Sequence, residues 1–387
     1  MKKAVLVILL LCSLRAASQT THLSPAAEIS IITCGPWQGE LYSAFGHSAI
    51  RVNDPEQGIN DAYNYGVFDF NQPNFYLNYT KGLLLFKLGV YSYPDFRDYY
   101  AYYNRYVIEQ KLDLSQSQKQ KIFEFLEWNA RPENETYRYD YFFNNCSSVI
   151  RDVLVKNLGD SIHFDDSFVT TNYTIRQLTD LYLKHQPWGD LGIDICLGLP
   201  MDKKATPFEY MFLPDYLEWF LDHATITRGG ESVPAVKDKI DVYRPHPQQP
   251  PKSLAHPWVV FGAFLGLTIV LCVYDLKRQK LSKWFDVIVF WPVGLIGILL
   301  LILWTATDHA AAAKNFNLLW ALPTHVLVFL IFHRRSAPFL KKYYLVAGIL
   351  SLFLLALWIV LPQQLHVFLI PFVASLMFRE FTIARLL

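Results

Sequence analysis

YFFNNCSSVI occupies residues 141–150. The stretch passes from aromatic residues through Asn144 and Asn145 to a cysteine, two serines and an apolar run. Asparagine suits a helix entry and serine its first turn. Val149, Ile150, Val153 and Leu154 recur at the spacing of one helical face. A helix is therefore expected to start near Cys146, with the thiol at its N-terminus. There the thiol meets unpaired N–H groups and the positive end of the dipole, and both favour the thiolate. The Cys146 N–H can point at an oxyanion, and Asn145 and Ser147 flank the thiol as candidate substrate contacts. A buried cysteine is more often inert, so the chemistry depends on a base arriving from elsewhere.

Upstream, LYSAFGHSAIRV (residues 41–52) places His47 in a strand. Residues 29–33, 48–52 and 62–70 have strand-like composition, and NDPEQGIND between the last two reads as a hairpin connection. Gly46 permits close approach of another backbone. A third polar group would orient the imidazole. The strand YNYGVFDF offers Asn64, Tyr65 and Asp69; Asn64 is the choice, although alternation puts Tyr63, Tyr65 and Asp69 on the other face and the register stays open. Taken alone, a strand histidine is more often structural, and spacing does not bring Cys146 and His47 together. Later segments read as helices: DLSQSQKQKIFEFLEWN with Ser115 as cap and Ile122, Phe123, Leu126 and Trp128 apolar, then TIRQLTDLYLKH, then PDYLEWFLDH with Pro214 in its first turn. The region 19–242 is thus expected to be an α+β domain.

Further along, YRPHPQQPPKSLAHP (residues 243–257) is a stiff proline-rich linker. Uncharged runs follow at 258–274, 287–307, 315–332 and 343–378, near the ~20 residues that cross a bilayer. The last run splits at LPQQLH, giving an all-α membrane bundle of about five spans over residues 258–387. Lys277, Arg278, Lys280 and Lys283 lie in one loop and Arg334, Arg335, Lys341 and Lys342 in another, so both loops are expected inside. Asp308 and His309 then face outward with Cys146. They, with Asn315 and Asn317, are candidate headgroup contacts, although polar residues at a membrane edge are commonly just solvated. His325 lies deeper, where it can bond a neighbouring helix.

At the other end, Lys2, Lys3, the apolar core from Ala4 to Leu14 and Ala16-Ala17-Ser18 form a secretory signal over residues 1–18. An uncleaved anchor is the alternative. Cys12 is preceded by three leucines, where a lipidation box has small residues. Of the five cysteines, Cys34, Cys146 and Cys196 belong to the exported part; Cys34 with Cys196 is the pairing that would spare Cys146, against three unpaired thiols. The net charge of +1 gives no sign of nucleic acid. No His/Cys spacing suits zinc. NFYLNYTKGLLLFKLGVYSYPDF, with Leu83, Leu84, Leu85 and Phe86, reads as ordinary core or as an interfacial segment or acyl groove.

The order of a strand histidine followed by a helix-start NNC resembles circularly permuted papain-like families, of which lecithin:retinol acyltransferase is one relative. More closely, LYSAFGHSAIRV, YNYGVFDF, YRYDYFFNNCSSVIRDVL and EYMFLPDYL, with a five-span tail carrying TDH and NFNLLWALPTH, resemble the lipoprotein N-acyltransferase family of Bacteroides-type bacteria. That resemblance implies a permuted papain-like cysteine domain in the periplasm, anchored in the bacterial inner membrane by a multi-pass bundle. It implies Cys146 as nucleophile and His47 as base, a phospholipid acyl donor, a diacylated apolipoprotein acceptor and no cofactor. The rival expectations are a membrane-tethered cysteine amidase or peptidase of the cell envelope, and a non-enzymatic envelope assembly protein.

Overall fold

The computed structural model describes residues 21–68, 70, 72–247, 255–333 and 337–387. The signal segment, Asp69, Arg334, Arg335 and the middle of the proline-rich linker lie outside the described residues. The strands are β1 (Glu28–Cys34), β2 (His47–Asp54), β3 (Ile59–Phe68), β4 (Leu85–Ser92), β5 (Val107–Leu112), β6 (Thr136–Arg138), β7 (Ile162–His163), β8 (Thr225–Arg228), β9 (Glu231–Pro234) and β10 (Val236–Tyr243). Among them run helices α1 (Phe75–Thr80), α2 (Tyr93–Tyr102), α3 (Gln116–Asn129), α4 (Cys146–Leu158), α5 (Ile175–Leu183), α6 (Pro187–Cys196), α7 (Pro207–Tyr210) and α8 (Pro214–His223).

Seven strands form one sheet in the order β10-β5-β1-β2-β3-β4-β6, with antiparallel neighbours throughout. Side chains alternate across it. Ile29, Ile31, Ile50, Val52, Tyr63 and Tyr65 face the helices α3, α4 and α8, while Ile32, Cys34, Ala49 and Ala62 face α2. Each isoleucine and valine among them, being fully buried, contributes about 1.5–3 kcal/mol. The N-terminal region is therefore α+β, as its composition predicts.

The local signals explain most boundaries. Ser115 and Gln118 form a capping box that starts α3, as Asn145 and Ser148 do for α4 and Thr174 and Gln177 for α5. Pro214 opens α8. Trp128 departs from expectation: it is exposed, and only Ile122, Phe123 and Leu126 of that face are buried. The third strand spans residues 59–68 rather than 62–70, because the turn at Gly58 (φ +69°) closes earlier.

The C-terminal region contains α9 (Pro257–Arg278), α10 (Lys283–Thr305), α11 (Ala337–Leu357) and α12 (Leu369–Leu386). Three of these, α9, α10 and α11, are long and apolar enough to cross a membrane. The expected third span, 315–332, is not one α-helix. It is two 3₁₀ pieces, Phe316–Leu319 and Pro323–Phe332, separated by extended backbone at Leu322. Pro323 disfavours helical geometry at the preceding residue and donates no hydrogen bond. The broken segment lies against α10, where a Cβ at Gly297 would collide with the Ala321 carbonyl and one at Gly294 with the Val326 backbone. Lys341 and Lys342 sit within α11 rather than in the loop before it. The last helix, α12, carries Arg379 paired with Asp275 (2.8 Å) and Asp286, and Glu380 accepting from Ser351 (2.8 Å). His325 meets the Tyr343 hydroxyl of α11 at 3.0 Å. Polar groups inside a bundle are commonly paired in this way.

Candidate active site

The cap that starts α4 positions Cys146. The Asn145 side-chain oxygen accepts from the Ser147 and Ser148 N–H groups at 3.1 and 3.0 Å, and its amide donates to the Tyr141 and Phe212 carbonyls at 2.9 and 2.8 Å. Ahead of it, Asp140 accepts from the Phe142 and Phe143 N–H groups and so holds the entry loop. The Cys146 N–H has no acceptor among the described residues.

Strands β2 and β3 bring the base. They pair from Asp54↔Ile59 to Ile50↔Tyr63, then diverge, and β3 carries a bulge between Asn64 and Val67. Gly66 lies in that bulge at φ +92°, a conformation costly for any residue with a Cβ. A Cβ there would lie 3.9 Å from the Cys146 Cβ, so the missing side chain leaves room for the thiol. His47, at the first position of β2, faces Cys146 closely enough to act on the thiol. Its Nε2–H donates to the Asn64 side-chain oxygen at 2.6 Å, which leaves Nδ1 for the sulfur. The Tyr100 ring of α2 stacks on the imidazole with centroids 5.9 Å apart.

Burial pushes the Cys146 thiol up. The neighbouring His47, its hydrogen bond, the Ser48 N–H and the Ser147 hydroxyl outweigh this and bring the thiol down to about 7. Burial pulls His47 down, but the facing sulfur and the bonds to Cys146 and Asn64 raise it overall. The two shifts run in the direction of a thiolate–imidazolium pair.

The structure therefore brings together Cys146, His47 and Asn64. It gives other expected residues different work. The Asn145 amide is committed to the cap, and the Ser147 hydroxyl is enclosed, 3.1 Å from that of Ser48. Neither is free for a substrate. Asn315 and Asn317 are buried, and both donate to the Ile195 carbonyl at the end of α6. They fasten the bundle to the N-terminal region instead of facing lipid headgroups. Cys34 and Cys196 are free thiols, not a disulfide: Cys34 is enclosed within the sheet beside β2, and Cys196 ends α6 at the bundle.

Asp308 and His309 do line a cavity, together with Gly82, Leu84, Arg138, Tyr139, Tyr141 and Ala311. Asp308 pairs with Arg138 at 3.2 Å, and Thr307 bonds the His309 ring at 2.9 Å. Burial lowers the His309 imidazole. Sequence reasoning missed Ser48, Gly66 and Tyr100. A glycine inside a strand pattern signals a bulge, so Gly66 was within reach; nothing local marks Tyr100. Among the described residues no cluster of His, Cys, Asp or Glu is arranged to hold a metal.

Two family models match the chain: the Lnb N-terminal periplasmic domain over residues 16–180 and the Lnb transmembrane domain over residues 249–387. No curated protein and no solved structure matches it.

Proposed function

Because the chain belongs to the Lnb family, the lipoprotein N-acyltransferase family its motifs resemble, we propose that it N-acylates the diacylglyceryl-cysteine of apolipoproteins through a Cys146 thioester. The observation that carries this reading is a thiol lowered to about 7 beside a base, on a domain fastened to a membrane bundle. Both substrates of such a reaction are lipid-anchored. The same order of strand histidine and helix cysteine supports a permuted papain-like domain. The family labels, with α9, α10 and α11, support a periplasmic catalytic domain on a multi-pass inner-membrane anchor.

In this reading the Cys146 thiolate attacks the carbonyl carbon of a phospholipid acyl ester. The Cys146 N–H stabilises the oxyanion. The C–O bond breaks, and the leaving lysophospholipid alkoxide takes the proton held by the His47 imidazolium. The free α-amine of the diacylated lipoprotein then attacks the thioester and gives its proton to His47. The C–S bond breaks, which releases the amide product and regenerates the thiolate. Asn64 holds the ring so that Nδ1 serves both steps. Asp308 and His309, near the outer end of α10, contact the substrate headgroups.

The deciding experiment uses the purified full chain with phospholipid vesicles. Cys146→Ser is expected to retain an acyl ester on the serine, seen by mass spectrometry. Wild-type triacylation by Cys146→Ala would reject the thioester route.

A further inference from the structure

Between β3 and β4 the chain presents a cluster of apolar side chains to its surroundings. Tyr76 is 81% exposed, Phe70 67% and Leu77 52%. A soluble surface seldom concentrates such residues. Their place in the molecule supplies the partner. The Lys81 carbonyl accepts from the Asp308 N–H at 2.8 Å, and Asp308 lies three residues beyond the last residue of α10, Thr305. A Cβ at Gly82 would lie 3.0 Å from Asp308 and His309 atoms. The segment is therefore fixed at the outer end of a membrane helix. Trp304 and Trp258, at the outer ends of α10 and α9, are exposed too, as in an aromatic belt at a bilayer interface. Lys81 and Arg138 are exposed at the same level.

From this exposed cluster a continuous line of rings runs inward. Phe70 stacks on Phe68 (5.9 Å), Phe68 meets Phe86 (4.3 Å) and Phe86 stacks on Tyr139 (4.2 Å). The Tyr139 ring lies 3.5 Å from the position of a Gly66 Cβ, and the Cys146 Cβ lies 3.9 Å from the same position. Leu84 borders both the cavity beside Asp308 and a second hollow lined by Gln72, Phe75, Tyr79, Leu83, Leu85 and Phe86.

We propose that the segment carrying Phe70, Tyr76 and Leu77 sits in the outer leaflet, and that the ring line from Phe68 to Tyr139 is the wall along which a lipid acyl chain reaches Cys146. The second half rests on the acyl-thioester reading; the first half does not.

The test separates them. The full chain is reconstituted in phosphatidylethanolamine–phosphatidylglycerol vesicles, with p-benzoylphenylalanine replacing Tyr76 or, as a membrane control, Trp304. On irradiation both positions are expected to form phospholipid adducts. Adducts at Trp304 alone, or a protein adduct at Tyr76, would overturn the membrane seat whatever the enzyme does. The double variant Phe68→Asp, Phe70→Asp puts charge on the outermost ring of the wall and on the ring stacked against it, which are 37% and 67% exposed. Its acylation of Cys146 by vesicle lipid should fall about tenfold or more, while alkylation of Cys146 by iodoacetamide is unchanged. Acylation at the wild-type rate would overturn the acyl path. Failure of the wild type itself to form a thioester would reject the proposed function, and the Tyr76 adduct would still decide the membrane seat.

Discussion

Cys34 and Cys146 are both buried near His47, and their acidities diverge. Burial pushes Cys34 up, and Arg105 offsets only part of this. Cys146 suffers the same burial but has the imidazole and two further donors against it, and falls to about 7. Thiolate is the reacting form, and its fraction grows as pH passes the thiol's pKa. The alkylation rate of Cys146 should therefore rise through about pH 7. His47→Ala removes the cation, so the inflection should move upward; an unmoved profile would show that His47 does not hold the thiolate. Asn64→Ala leaves His47 Nε2 without its acceptor and only misorients the ring. Its loss of turnover should be smaller than the roughly 10²–10⁴-fold expected without a general base, measured as conversion of diacylated to triacylated peptide. Cys146 and His47 were legible as candidates because each belongs to a local pattern. Asn64 could not be separated from Tyr65 and Asp69 by pattern, since a one-residue change of register exchanges the faces of a strand.

At the scale of elements, the site depends on one cap and two glycines. Asn145→Ala removes the acceptor for two N–H groups and strands the Tyr141 and Phe212 carbonyls. A cost of about 1–2 kcal/mol follows, read as a lower melting temperature in detergent. Asn145→Asp keeps the acceptor and should fall between the two. The glycines differ in severity. Gly46 is at φ +85°, and its Cβ would come within 2.9 Å of the Cys34 carbonyl, which is backbone and cannot step aside. Gly66 has only ordinary contacts at 3.5 and 3.9 Å, so alanine there meets chiefly the backbone penalty of about 1–2 kcal/mol. Gly46→Ala is expected to destabilise the fold more than Gly66→Ala, and the reverse order of melting temperatures would contradict this packing. The starts of α3 at Ser115 and of α4 after Asn145 were readable in advance, because capping is decided within four residues. The broken segment before α11 was not: hydropathy registers 315–332 as a span and is blind to the groove at Gly294 and Gly297 that receives it.

For the whole molecule, the decisive contact is between α6 and the membrane bundle. Asn315, Asn317 and Gln363 donate to the carbonyls of Ile195 and Leu197. A Cβ at Gly198 would land on the Ala313 carbonyl. Gly198→Val should therefore unseat the N-terminal region from the bundle. Proteolysis in the proline-rich linker should quicken and turnover on vesicle lipid should fall, while iodoacetamide still alkylates Cys146. Linker cleavage and turnover like those of the wild type would show the junction to be dispensable. The charge pattern of the loops predicts a cytoplasmic residue 387, so a reporter that fluoresces only inside should be bright there. A dark, well-expressed fusion would remove α12 as a span.

Sequence by itself determined the α+β class of the first region, the apolar runs of the second, the helix start at Cys146 and the strand that carries His47. Each of these rests on interactions between residues near in the chain: periodicity, capping and turn preference. Tertiary structure alone decided that the thiol meets the imidazole, that Asn64 rather than Tyr65 faces it, and that Asn315 and Asn317 act as fasteners. These facts depend on strand register, on the divergence of β2 from β3 beyond Tyr63 and on the bulge at Gly66, and they join residues far apart in the chain. Contacts of that kind follow from the packing of the whole fold and leave no local trace.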